Sequence, residues 1–193
     1  VGNDAYSPVP PSAYDLLETE ILTGSQASVT FSSLNSTYGA DYQHLQLRAV
    51  SRNDRNVGYY LGEVYFELNS VTGSGQYYTH YLTGNGSTVY VNAYSKTTGA
   101  GGYDNPSLGA PANTFAASVT DFLDVFDTTK NTTIRTLAGV HTGGTGLNGD
   151  PNAVSLRSGA FFSTSAIDSI KIIADFANFV SGSRFSLYGL KAA

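Results

Sequence analysis

The chain has 193 residues, a net charge of −5, 41% hydrophobic and only 13% charged residues. This excludes intrinsic disorder and fits one domain with a sizeable core. It holds no cysteine, which excludes a disulfide framework or a thiolate metal site. Its ten Lys and Arg residues are dispersed, only Arg48, Arg52 and Arg55 approaching a cluster. That argues against nucleic-acid binding, and the triplet reads as a solvated strand end and its turn.

Charged residues stand at about half the usual share, their place taken by Ser, Thr, Asn, Gly and Tyr. Such a surface suits a crowded assembly, where like charges on packed copies would repel. It equally suits a secreted or heat-tolerant β-domain. Methionine is also absent, as expected if an initiator Met is removed ahead of Val1. No basic-then-apolar leader appears, and no apolar run is long enough to span a bilayer.

Residues 1–13 hold Pro8, Pro10 and Pro11, which predicts an extended arm. Tyr6 and Val9 on that arm are candidate contacts with a neighbouring subunit. From Tyr14 to Tyr188 the pattern is period two, the signature of half-buried strands. Strands are predicted at 14–21, 28–31, 44–50, 62–68, 77–82 and 88–94. Leu45, Leu47 and Ala49 should share a buried face, as should Val64, Phe66 and Leu68. Asn85-Gly86 should close a hairpin between the fifth and sixth strands. Residues 95–114, rich in Gly, Asn and Pro, read as a long surface or contact loop. Strands resume at 115–125 and 132–141, a glycine-rich loop follows at 142–152, and strands cover 154–162, 167–176 and 183–190. The fold class is all-β. We expect a jelly-roll-like β-sandwich of roughly ten antiparallel strands, residues 14–193, with its first and last strands paired centrally.

Chemistry is sparse. His44, His80 and His141 fall in no metal-binding spacing. Asp121, Asp124 and Asp127 lack the ligand pattern of a calcium loop and read as a strand followed by an acidic turn. Gly99–Gly102 and Gly143–Gly146 lack the Lys-Ser/Thr of a phosphate loop, and no serine sits in a nucleophile elbow. No catalytic residue, cofactor site or metal site is predicted, and the chain is expected not to be an enzyme. Tyrosine is the unusual accumulation: 14 in all, concentrated between Tyr59 and Tyr94. Tyrosine suits protein interfaces and sugar stacking. Tyr77, Tyr81, Tyr90 and Tyr94 are the candidate interface residues, Tyr90 and Tyr94 on one face opposite Val89, Val91 and Ala93. Cross-strand aromatic pairing on a half-wet sheet would explain the same tyrosines.

Two stretches carry a resemblance. Residues 13–52 hold Tyr14, Leu16, Leu17, Glu18 and Thr19, then Val29 to Ser33, then Tyr42, Leu45 and Leu47. Residues 166–191 hold Gly182 to Gly189 with Arg184 at a variable position. Together they resemble the opening and closing strands of a widespread group of tailed-bacteriophage virion proteins. The resemblance covers about a third of the chain and leaves 53–165 loosely matched. It implies a jelly-roll or related sandwich on capsid or tail, with no catalytic residues to carry over. The expected function is capsid decoration: a cement subunit bridging the major capsid protein or other virion proteins, homo-oligomeric with a trimer favoured. The alternative is a tail or fibre component meeting the host surface, with glycan binding. Neither nucleic acid nor membrane is an expected partner.

Overall fold

A computed structural model describes residues 13–56, 58, 61–142 and 152–191. Among them the chain forms twelve strands and one short helix. In order these are β1 (Tyr14–Ile21), β2 (Ser28–Ser32), α1 (Leu34–Tyr38), β3 (His44–Ser51), β4 (Leu61–Leu68), β5 (Tyr77–Gly84) and β6 (Val89–Lys96). Then follow β7 (Ala100–Pro106), β8 (Ala116–Leu123), β9 (Thr132–His141), β10 (Asn152–Phe161), β11 (Ser169–Ala174) and β12 (Arg184–Leu190). They pair antiparallel into an eight-stranded sheet, β1-β12-β3-β8-β9-β10-β5-β6, and a four-stranded sheet, β2-β11-β4-β7.

Set aside the hairpins β5–β6 and β9–β10, and two four-stranded sheets remain: β1-β12-β3-β8 and β2-β11-β4-β7. First pairs with last, second with next to last, third with sixth and fourth with fifth, which is the winding of a jelly roll. The expected sandwich is therefore present, with two inserted hairpins that double the length of one sheet. First and last strands pair as anticipated, but at the sheet's edge and not its centre. β1 carries Asp15, Glu18 and Glu20, charges that protect an exposed edge from pairing with other chains.

The core follows from the period-two pattern. Leu45, Leu47 and Ala49 of β3 and Val64, Phe66 and Leu68 of β4 are all buried, one set on each sheet. Phe66 meets Phe122 of β8 edge-on at 5.1 Å between ring centres. The β5–β6 turn forms as predicted: Asn85 Oδ1 accepts the N–H of Ser87 (2.9 Å) and Thr88 (2.7 Å), and Gly86 takes φ +97°.

The predicted loop at 95–114 needs correction. Residues 100–106 are β7, an almost wholly buried strand at the edge of the smaller sheet. Its glycines, which read as loop, serve close packing. Gly101 lies at φ +71° with its backbone against Gly159 of β10, where a Cβ on Gly159 would come within 2.8 Å of the Gly101 Cα. Thr79 Oγ1 accepts the Gly101 N–H at 3.1 Å, and Thr136 Oγ1 donates to its carbonyl at 2.5 Å. The arginine triplet is corrected too. Arg52 is buried and donates to the carbonyls of Ser107, Ala110, Pro111 and Thr114, tying down the segment after β7. Arg48 stays outside, its guanidinium over the rings of Tyr188 (4.5 Å) and Tyr14 (5.3 Å). The predicted arm at 1–13, with Tyr6 and Val9, lies outside the described residues but for Ala13, as do Tyr59, Tyr60 and the Gly143–Gly146 loop.

Candidate functional site

The four inserted strands mix apolar and polar residues on their inner side, where Tyr77, Ile134, Ala138 and Phe161 are buried. Their inward face carries Thr79 and Arg157, both buried, and Tyr81 and Thr83, half-buried. Their outward face carries two aliphatic rows beside a polar one, Asp121, Arg135, Ser158 and His80. One cross-strand row runs Val119, Leu137, Leu156, Leu82, Val91 across β8, β9, β10, β5 and β6. All five are exposed, Leu137 at 58% and Val91 at 72%. The adjacent row runs Val50, Ala117, Gly139, Val154, Gly84, Val89, with Val154 and Val89 exposed. Neither stretch contains a charged residue. The rows end on β6, which is the last strand of its sheet and uncharged from Val89 to Ser95. Farther across the sheet the first row turns polar, with Arg48, Ser186 and Thr19 on β3, β12 and β1.

On the inward side, β5, β6 and β10 form one wall of a cleft of about 570 Å³ against the start of β4 and the end of β7. Tyrosines and one ion cluster define it. Arg157 of β10, 4% exposed, donates from Nη1 to Glu63 Oε1 at 3.0 Å and from Nη2 to Asp104 Oδ2 at 2.5 Å. Lys96 Nζ meets Glu63 Oε2 at 2.6 Å and Asp175 Oδ2 at 3.6 Å. The Tyr94 hydroxyl donates to Glu63 Oε1 at 2.5 Å. The Tyr81 ring packs edge-on to Tyr94 at 6.1 Å and faces the Arg157 guanidinium at 5.3 Å. Tyr90, 43% exposed, and the exposed Asn92 stand at the open side.

This cluster joins the inserted strands to the jelly roll, since Arg157, Tyr94 and Lys96 belong to insertions and Glu63 and Asp104 do not. Burial pushes the Glu63 carboxyl up. Hydrogen bonds from Lys96 and Tyr94, with the charges of Lys96 and Arg157, outweigh it and hold Glu63 below its ordinary value. Burial and the neighbouring Glu63 anion push the Tyr94 phenol well above its usual range. Glu63 is thus an anion and Tyr94 a neutral donor. An anionic carboxylate accepts hydrogen bonds and cannot itself protonate a leaving group. Two buried polar atoms on the cleft's lining residues, Arg157 Nε and Thr83 Oγ1, have no hydrogen-bond partner.

Of the candidate interface residues, Tyr81, Tyr90 and Tyr94 come together in this cleft. Tyr77 does not. It is fully buried, stacked on Phe161 at 5.0 Å, its hydroxyl accepting the Leu68 N–H and donating to the Val71 carbonyl. Its phenol is pushed up to about 12, chiefly by burial. Tyr77 is a core residue because β5 turns it inward beneath the loop that follows β4. Arg157, Glu63 and Asp104 were not singled out from the sequence. They converge from three distant strands, and no local spacing signals such a meeting.

The remaining polar candidates are accounted for structurally. Asp121 pairs with Arg135 and accepts from Gln46. Asp124 accepts from Gln43 and Lys130, and Asp127 caps the turn at Thr129. This is the expected strand and acidic turn. His44 Nδ1 accepts the Asp124 N–H at 2.9 Å, and His80 and His141 lie exposed on strands. Among the described residues no group of three or more His, Asp or Glu is placed to hold a metal ion. Comparison with known proteins finds no matching family model, no matching characterised protein and no matching solved structure.

Proposed function

We propose that this chain is a bacteriophage virion structural protein, a capsid decoration subunit that stabilises the head by bridging neighbouring subunits. Its partners would be the major capsid protein or other virion proteins, and its working form a homo-oligomer, a trimer by analogy with threefold positions on an icosahedral shell. A jelly roll by itself names no function. Two things support the reading: the resemblance of the opening and closing strands to virion proteins, and the two aliphatic rows on the outer face of the inserted strands.

The outer face is the observation that carries the proposal. Contiguous exposed apolar surface of this kind marks an interaction site, and covering one Leu or Val side chain fully contributes roughly 1.5–3 kcal/mol. Among the described residues β6 has no partner on its outer side, and the face adjoins that edge. Another polypeptide can satisfy both the aliphatic rows and the edge amides. Nucleic acid would call for clustered cations, and lipid tails offer the edge no hydrogen-bonding groups. Binding restricted to the assembled shell would stabilise it by mass action.

Purified particles test this. The chain should be present at hundreds of copies per virion, and Leu137→Glu with Leu156→Glu should abolish its addition to undecorated heads. Absence from virions would sink the proposal. A few to some tens of copies would instead favour the second reading, a tail or fibre component meeting the host surface. The tyrosine-lined cleft is the observation on its side.

A further inference from the structure

We infer that the cleft between the inserted strands and β4–β7 is a binding site for an uncharged saccharide. The inference does not rest on where in a particle the chain works, because the cleft is complete within one copy.

Its size falls within the range of small-molecule sites. Its side chains combine two properties that sugar rings demand together. Aromatic faces, here Tyr90 at the mouth and Tyr81 and Tyr94 behind it, accept the apolar C–H faces of a pyranose. Polar groups of both kinds lie beside them: donors on Arg157 and Asn92, acceptors on Asp104 and Glu63. A hydroxyl both donates and accepts, so a vicinal pair can engage donor and acceptor at once. Arg157 Nε and Thr83 Oγ1 are buried without hydrogen-bond partners on two of the lining residues.

Charge selects the class of ligand. The cations Arg157 and Lys96 already face Glu63, Asp104 and Asp175 at 2.5–3.6 Å, and Arg55, the third cation on the lining, is engaged as well. The site therefore offers neither free positive charge for a phosphate, sulfate or sialic acid nor a free carboxylate for an amine. A neutral polyol is the chemistry left. Because the ion pairs fix Arg157 and Tyr94 before any ligand arrives, little side-chain ordering remains to oppose binding.

The test uses the purified full chain on an array of neutral hexose and N-acetylhexosamine oligosaccharides, with sialylated and sulfated ones alongside. Hits are then titrated by calorimetry. Neutral oligosaccharides should be retained, and Tyr90→Ala and Asn92→Ala should each weaken the best one about 10-fold or more. Both residues are exposed, so the variants should keep the wild-type circular dichroism and melting temperature. Leu137→Glu, on the opposite face, should leave saccharide affinity unchanged. Retention of no saccharide, retention confined to anionic ones, or an affinity indifferent to Tyr90→Ala would overturn the inference. None of these results bears on copy number in virions, so this site and the decoration reading fail separately.

Discussion

The two edges of the eight-stranded sheet present opposite solutions to the same problem. At one edge, β1 keeps Asp15, Glu18 and Glu20, and its neighbour rows carry Arg48, Ser186 and Thr19. At the other, β6 offers seven uncharged residues from Val89 to Ser95 beside the two aliphatic rows. An edge left like that invites another chain. The jelly-roll edge is defended by charge, whereas the edge made by the inserted hairpins is uncharged. The hairpins are nonetheless anchored firmly, through β7 beneath them and the Arg157 cluster at their margin.

The sharpest way to break that contrast is at the anchor. Arg157→Ala leaves Glu63 and Asp104 without their shared partner and should cost roughly 3–5 kcal/mol of unfolding free energy, as removal of one member of a buried ion pair does. Arg135→Ala removes an exposed partner of Asp121 on the same sheet and should cost less than about 1 kcal/mol. Urea denaturation of the two variants measures the difference. Equal losses would mean that the joint is no stronger than the surface.

Acid should act on the same joint more gently. The folded Glu63 carboxyl lies below its ordinary 4.5, so the unfolded chain takes up the proton first. Its stabilising contribution is complete above that ordinary value and is lost as pH falls through the lower folded one. The urea midpoint should therefore decline as pH falls through and below that ordinary value, and Glu63→Gln should make the decline shallower. An unchanged slope in the variant would show that the carboxylate contributes nothing.

The smallest effect on stability should come from the outer face. Leu137→Ser with Leu156→Ser should shift unfolding by no more than about 0.5 kcal/mol per site. Leu47→Ala, one strand from β8 on the inner face, should cost roughly 2–5 kcal/mol. Sedimentation should show self-association of the wild type reduced in the double serine variant. A large stability loss there would mean that the face is covered within the single chain.

Much of this architecture was legible in the residues. Alternation located eleven of the twelve strands, because each core strand pairs aliphatic or aromatic residues with polar ones at strict period two. The same alternation put Tyr90 and Tyr94 on one face and Val89 and Val91 on the other. It could not say which face turns inward, and on β6 it is the face of Tyr90 and Tyr94. β7 was hidden because its pattern is Gly-Gly-Tyr-Asp-Asn, where glycines answer to the backbone of β10 and not to a turn. Tyr77 was misjudged for a related reason: a buried phenol whose hydroxyl is satisfied by main chain looks, in sequence, like an interfacial one. The Glu63–Arg157–Asp104 cluster depends on pairings 53 and 94 residues apart, a separation that only the folded topology brings together.

The pairing of β1 with β12 has a geometric consequence. Tyr14 lies opposite Leu190, so the chain enters and leaves the sandwich at one corner. β6 is seven strand spacings away across the same sheet, roughly 34 Å at about 4.8 Å each. Any segment or fused partner joined at that corner would hang from a handle remote from both the cleft and the bare edge. The molecule can therefore be gripped at one margin while its opposite margin stays free to engage something else.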